Sequence, residues 1–419
     1  MILGVIADDF TGATDVASML VRAGMRTVQV LGVPTGPLPN ADAVVIALKT
    51  RTIAPADAVA QSLAALKALQ SGGARQIYFK YCSTFDSTPQ GNVGPVTDAL
   101  MDALETDFTI ACPAFPENGR TVYRGHLFVG DQLLSDSGMR QHPLTPMTDA
   151  NLVRVLQPQT RQAVGLLPHA AVGRGIDATR EHMATLRAQG VRIAVADAIA
   201  NADLLTLGEA CADLPLVTAG SGVALGLPPA YARRGWLVPD AQAATLAHLD
   251  GPSAVVSGSC SVATNTQVQR WLTQGGAAIQ LDPLALHQQK QSADALLAQA
   301  RAALQDGPVL VYATAAPESV GAVQAALGVE AAGALVENTL AQVARGLVDA
   351  GVRRLVVAGG ETSGAVVQAL GVQELRIGPS ICPGVPWTET TESATGDRLQ
   401  LALKSGNFGG PDFFREALA

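Results

Sequence analysis

Short apolar, β-branched runs alternate along this chain with longer stretches in which alanine and leucine recur at helical spacing. "ILGVIA" (2–7), "AVVIAL" (43–48), "QIYFK" (76–80) and "FTIACP" (108–113) are runs of the first kind. Lacking regular polar alternation, they predict strands covered on both faces. "ATDVASMLVRAG" and "PADAVAQSLAALKAL" predict helices, the first closed by Gly24. The rhythm returns with "AVGLLP", "RIAVAD" and "LPLVTAG". Such repetition predicts a doubly wound parallel sheet. Residues 113–150 break it with Pro, Gly, Arg and His, which predicts a functional insertion or an edge hairpin.

A proline-rich stretch without clean periodicity, 228–252, reads as a linker. Beyond it "SAVVSG" (253–258), "PVLVYAT" (308–314) and "RRLVVAGG" (353–360) predict new strands, with a long helix near 332–350 and a last strand in "RLQLALKSGNFGG". The expected architecture is α/β in two domains, 1–227 and 253–419. Each would hold a mostly parallel sheet flanked by helices, with an active-site cleft between them.

Composition narrows the function. Of 419 residues, 48% are hydrophobic and 15% charged, a globular balance. The net charge is −8 and no Lys/Arg cluster occurs, so nucleic acid is not an expected partner. Five isolated cysteines and six scattered histidines offer neither a disulfide framework nor zinc-ligand spacing. No apolar run reaches membrane-spanning length. The opening "MILGVIADDF" reads as a first strand rather than a secretory signal, so a cytoplasmic location is expected. Oligomeric state stays open.

Ligands of open parallel sheets bind beyond the carboxyl ends of strands, and four such ends are chemically unusual. In "IADDFTGATD", Asp8 and Asp9 end the first strand and Thr11-Gly12 begins a helix. One helix cap accounts for one of these groups, but not for two adjacent carboxylates. The pair is expected to be catalytic, as a base or as ligands to hydroxyls or magnesium, and Asp15 is read as structural. In "FKYCSTFDS" (79–87), Lys80 ends a strand ahead of Asp86 and Ser87. Lys80 and Arg51 are expected to pair with a substrate carboxylate while Asp86 accepts from hydroxyls. Asn118 and Arg120, in "PENGRTVYRGH", extend that substrate set.

The other two ends suit phosphate. "VVSGSCSVAT" brings Ser257, Gly258 and Ser259 to a strand–helix turn. "VVAGGETSGAVVQALG" does the same with Gly359, Gly360, Glu361, Thr362 and Ser363, and "KSGNFGG" adds Gly406. Small residues let backbone N–H groups approach an anion at a helix's positive end. Neither P-loop nor GxGxxG spacing is present.

Taken together, "ADDFTGATDVA", "SGSCS" and "GGETSGAVVQALG" resemble, in order and spacing, the four-carbon acid sugar kinases, across essentially the whole chain. Within that family, "MRQHPLTPMTDANLVRVLQPQT" and "PAFPENGRTVYRGHLFV" look most like the members acting on 3-oxo-tetronates. The threonate and erythronate kinases are the alternatives. The resemblance implies ATP-dependent phosphorylation of a sugar acid with magnesium, an N-terminal substrate domain and a C-terminal nucleotide domain. It places ATP contacts at Ser259 or its neighbours, Gly360 through Ser363, and Gly406. The magnesium ligands and the catalytic base remain unassigned. Two other classes compete. A dinucleotide oxidoreductase lacks its glycine fingerprint here, and a two-lobed sugar-acid-binding protein would normally carry an export signal.

Overall fold

The computed structural model describes residues 1–142, 144–390 and 398–419. It divides into two compact units, Met1–Ala244 and Thr245–Ala419.

The first unit carries β1 (Leu3–Ala7), β2 (Thr27–Leu31), β3 (Ala43–Ala47), β4 (Gln76–Lys80), β5 (Thr109–Cys112), β6 (Arg120–Tyr123), β7 (His126–Val129), β8 (Gln132–Leu133), β9 (Val164–Leu167), β10 (Ile193–Ala196) and β11 (Leu216–Ala219). Its main sheet runs β2-β3-β1-β4-β11-β5-β10-β9, with every pair parallel. β1, β3 and β4 are buried at every residue, the first two as unbroken apolar runs and β4 with polar Gln76 and Lys80 at its ends. Gly4 permits helix Pro55–Ser71 to press on β1, since a Cβ there would come 3.0 Å from Leu69.

Register then sets the functional geometry. Ala7 lies level with Ala47 on one side and Lys80 on the other. The chain winds from β1 to β2 and β3, then crosses to β4 on β1's far side, so the winding reverses at β1. Side chains just past Ala7 and at Lys80 therefore emerge together at the switch point, where such sheets bind ligands.

The interruption expected in 113–150 contains an antiparallel meander, β6-β7-β8. Arg124 and Gly125 turn between its first two strands with φ of 50° and 73°, the left-handed pair that tight hairpins favour. Their N–H groups donate to buried Asp197, at 2.7 and 2.8 Å.

The expected linker is in part structured. Leu227–Arg233 is a helix inside the first unit, with Tyr231 fully buried and stacked on Trp236. These aromatic contacts draw the stretch onto the first unit, whose boundary falls at Ala244.

The second unit carries β12 (Ser253–Ser257), β13 (Ala277–Gln280), β14 (Val309–Tyr312), β15 (Arg354–Ala358), β16 (Glu374–Cys382), β17 (Val385–Thr390) and β18 (Gln400–Lys404). The order is β13-β14-β12-β15-β18-β17-β16. Pairs from β13 to β18 are parallel, and β17 runs antiparallel to both its neighbours. Winding reverses between β12 and β15. A core of Val255, Leu310, Val356, Trp271, Phe413 and Phe414 supports these strands. Among the described residues, no single helix is long and apolar enough to cross a membrane.

Candidate active site

In the first unit, β1 delivers Asp8 and Asp9 to the switch point. Asp9 is the N-cap of helix Phe10–Arg22: its Oδ1 accepts from Gly12 N at 3.0 Å and its Oδ2 from Thr11 Oγ1 at 2.8 Å. Capping therefore explains one carboxylate of the pair and leaves Asp8 to another partner. That partner is Arg51, in the loop after β3. Its Nε and Nη2 donate to Asp8 at 2.9 and 2.8 Å, and Nη2 also reaches Asp9 Oδ1 at 2.7 Å. The loop is pinned in turn, with Thr50 N on Asp8 O at 2.9 Å and Asn92 Nδ2 on the carbonyls of Thr50 and Ile53.

Arg51, expected to read a substrate carboxylate, is thus bound to the protein's own acids. Nη1 stands 3.7 Å from Asp86. Burial works to raise the Asp9 pKa, but Arg51, Lys80, Thr11 and the Gly12 amide together hold it below the ordinary range.

Lys80 occupies a different situation. It is buried at the end of β4, and its nearest acid is Asp9 at 3.9 Å. Among the described residues its ammonium makes no hydrogen bond. It lies over Gly12, where a Cβ would fall 2.0 Å from Nζ. Gly12 is therefore glycine for space, not for backbone angle.

Asp86 is held by the Thr84 hydroxyl at 2.7 Å. Both Phe85 and Asp86 adopt positive φ, 66° and 44°. Aspartate tolerates that conformation and phenylalanine resists it. The fully buried Phe85 ring, edge-on to Tyr81 at 5.5 Å, holds the turn in place. Ser87 faces inward, with Oγ donating to Gln159 at 2.7 Å, so its hydroxyl is spent on packing.

Arg120 and Asn118 join the cluster from the segment between β5 and β6. Arg120 donates to the Asn118 carbonyl, while its Nε and the Asn118 Nδ2 are buried without partners. Burial lowers the Arg120 pKa, and Asp15, Asp86 and Cys82 lie close enough to oppose that shift. No carboxylate stands within ion-pair distance of Arg120 among the described residues.

Asp15, read from the sequence as structural, is buried in the same cluster. Ser221, beyond β11, donates to its Oδ2, while Oδ1 is buried with no partner. Burial raises its pKa to about 6, against the pull of Lys80, Ser221 and Arg120. The cluster thus holds two carboxylates hydrogen-bonded on both oxygens (Asp8, Asp9), two hydrogen-bonded on one (Asp15, Asp86), buried Lys80 with Asp9 at 3.9 Å, and half-buried Arg120.

In the second unit the three small-residue turns converge at the ends of β12, β15 and β18. Gly258 N and Ser259 N both donate to Ala358 O, and Gly359 N to Lys404 O at 2.8 Å. A Cβ on Gly258 would meet Thr362 Oγ1 at 2.2 Å, and one on Gly406 would meet Ser259 Oγ at 2.5 Å. Gly359, at φ 125°, opens helix Gly360–Ala369, whose first residues Gly360 and Glu361 are exposed. Ser363 Oγ is buried and unpartnered. Ser257 is not presented to this surface: its hydroxyl is fully buried against Thr314 at 2.7 Å. Free helix N–H groups beside close-packed glycines form a setting suited to phosphate.

Two family models match these units separately. Residues 3–227 match a sugar-binding N-terminal domain and residues 254–414 a nucleotide-binding C-terminal domain. The 3-oxo-tetronate kinase of Cupriavidus necator is 63% identical over 421 residues, spanning 100% of this chain and 96% of that protein. The chain belongs to the 3-oxo-tetronate kinase family. A 3-oxo-tetronate kinase of Salmonella typhimurium is 46% identical over 99% of this chain and 98% of its own. Among solved structures, a Haemophilus influenzae protein matches with TM-score 0.76 at 46% identity, over 99% of both chains. Membership makes this chain a sugar-acid kinase, transferring phosphate to a hydroxyl group. The first matched segment contains the carboxylate–cation cluster, and the second contains the glycine turns.

Proposed function

We propose that this kinase uses ATP to phosphorylate the C4 hydroxyl of 3-oxo-tetronate. The observation carrying this reading is a pair of cations whose charge is weakly met: buried Lys80, whose one ion pair among the described residues is Asp9 at 3.9 Å, and half-buried Arg120, with no carboxylate in ion-pair distance among the described residues. A cation withdrawn from water with its charge incompletely met is costly, and the carboxylate of a small sugar acid would relieve both. Asn118 Nδ2, also unpartnered, supplies a donor for an oxo or hydroxyl oxygen, and Asp86 an acceptor for a hydroxyl.

In the reaction, the C4 oxygen bonds to the terminal phosphorus as the bond to the bridging oxygen breaks. ADP departs, and the hydroxyl proton passes to a carboxylate. A loose phosphoryl-transfer transition state asks mainly for positioning and charge neutralisation. Asp8 and Asp9 contribute by fixing Arg51 and, through Asp9, the environment of Lys80. Asp15 brings a buried carboxylate oxygen without a hydrogen-bond partner to accept that proton.

Gly258, Ser259, Gly359, Gly360, Thr362, Ser363 and Gly406 would receive the ATP phosphates. Magnesium accompanying ATP takes most ligands from phosphate and water, with one or two carboxylates. No group of three or more metal-ligating side chains occurs among the described residues. The donor set therefore fits a metal carried mainly by the nucleotide, with Glu361 in the first helical turn beside the phosphate site.

Release of ADP from ATP, measured with 3-oxo-tetronates, threonates and erythronates of each configuration, tests the reading. The 3-oxo acid should give the highest kcat/KM. Stronger turnover of a tetronate would move the assignment to a sibling activity.

A further inference from the structure

Lys404, the last residue of β18, has no solvent exposure and no carboxylate within ion-pair distance among the described residues. Its ammonium is surrounded by oxygens of its own loop. Nζ lies within hydrogen-bond distance of the carbonyls of Ser405 (3.0 Å), Gly406 (2.9 Å) and Phe408 (3.1 Å) and of Thr264 Oγ1 (3.1 Å), four acceptors for its three N–H groups. Gln267 continues the pattern, with Nε2 at 3.0–3.1 Å from the carbonyls of Phe408, Gly409 and Gly410. The hydroxyls of Ser261 and Thr264 also donate to Gly406 O, at 2.6 and 2.8 Å.

Five consecutive-loop carbonyls, those of 405, 406, 408, 409 and 410, are thus drawn to one side. In a trans peptide the carbonyl and the following N–H point in opposite directions, and no cis bond occurs here. The N–H groups of Gly406, Asn407, Gly409 and Gly410 therefore face away from Lys404 and Gln267. None has an acceptor among the described residues. This loop touches the first glycine turn at Ser259.

We propose that Lys404 and Gln267 are positioning residues for the phosphates of the nucleotide. By gathering the loop carbonyls inward they turn four amides outward as an anion nest, and the buried ammonium adds positive potential behind it. The inference rests on the nucleotide reading of the second unit.

It carries a pH signature. Burial holds the Lys404 pKa down at about 7, and the titratable group acting on it is Cys382 of β16. Helices Val262–Thr273 and Phe413–Leu418 face it with Thr264, Gln267 and Phe413, none of which titrates. A phosphate arriving at the nest favours the ammonium, so binding above about pH 7 draws a proton onto Lys404.

The test is calorimetric titration of a non-hydrolysable ATP analogue into the full-length protein, in buffers of different ionisation enthalpy at pH 6.5 and 8.5. Wild type should bind more weakly at the higher pH. Lys404→Met should weaken binding roughly tenfold or more and lose the protein's share of the proton uptake, with the sugar-acid KM unchanged. Gln267→Met should weaken binding less and retain that uptake. Wild-type affinity in Lys404→Met overturns the proposal. If that variant does not fold, unchanged affinity in Gln267→Met overturns it. Binding is read without sugar acid, so an error in the substrate assignment leaves the outcome intact. A wild type that binds no adenine nucleotide overturns both readings.

Discussion

Arg51 grips Asp8 with two parallel hydrogen bonds, Nε to Oδ2 at 2.9 Å and Nη2 to Oδ1 at 2.8 Å, and shares Nη2 with Asp9 at 2.7 Å. One guanidinium from the loop after β3 thereby bridges two adjacent carboxylates at the end of β1. The pair is partly buried, so removing one partner should cost less than the ~3–5 kcal/mol typical of a fully buried pair. Arg51→Ala is expected to lower the melting temperature by several degrees and to reduce kcat/KM for the sugar acid. Arg51→Lys should recover little, since an ammonium cannot make the two-pronged contact. Wild-type stability in Arg51→Ala would remove the pair from its structural role.

Gly12→Ala places a methyl group where Lys80 Nζ now lies, 2.0 Å from the added carbon. The added carbon also lies 2.2 Å from Asp9 Oδ1, so both the ammonium, at the end of a flexible chain, and the cap carboxylate must shift. A melting-temperature measurement separates lost capping from lost Lys80 contact. Sugar-acid KM is expected to rise roughly tenfold or more, the value of one charge-assisted contact. ATP KM should stay near wild type. An unaltered sugar-acid KM would detach Lys80 from substrate recognition.

Asp15 offers a pH test. Its folded pKa, about 6, exceeds its ordinary value of 3.8. The folded protein therefore holds this proton more tightly than the unfolded chain, and Asp15's contribution to stability falls as pH rises from about 4 through 6. If the ionised carboxylate accepts the hydroxyl proton, kcat/KM should climb through the same window. Asp15→Asn should flatten both slopes and cut kcat by about 10²–10⁴-fold. A full-strength Asp15→Asn enzyme with the acid limb intact would exclude Asp15 as the base.

For the nucleotide, Gly258→Ala is the sharpest probe, because its methyl group would meet Thr362 Oγ1 at 2.2 Å. Separation of the first and second glycine turns should raise ATP KM and leave sugar-acid KM unaltered. The reverse pattern would exchange the roles of the two domains.

Much of this was legible in the sequence, for a physical reason. Strands buried on both faces of a parallel sheet are mostly apolar, so the apolar runs within β1, β3, β4, β12 and β15 stand out. The pair β16–β17 does not: it is antiparallel, half-exposed in β16, broken by Pro379 and shifted in register. Site residues at strand ends could be located, but their partners could not. Whether Arg51 meets a substrate or Asp8 depends on β3 lying beside β1. The unpartnered oxygen of Asp15 depends on Ser221, 206 residues away. Ser87 and Ser257 looked like ligand contacts because serine at a strand end often is one. Their hydroxyls instead satisfy Gln159 and Thr314. In "KSGNFGG" only Gly406 stands out from the sequence, and the role of Lys404 rests on the inward carbonyls.

The most direct test of the central claim is the identity of the product. Full-length protein, ATP, magnesium and 3-oxo-tetronate should yield ADP and a sugar acid whose phosphorus couples, in the NMR spectrum, to the C4 methylene protons. Phosphate on another carbon, or ADP formed with no phosphorylated acid, would contradict the account.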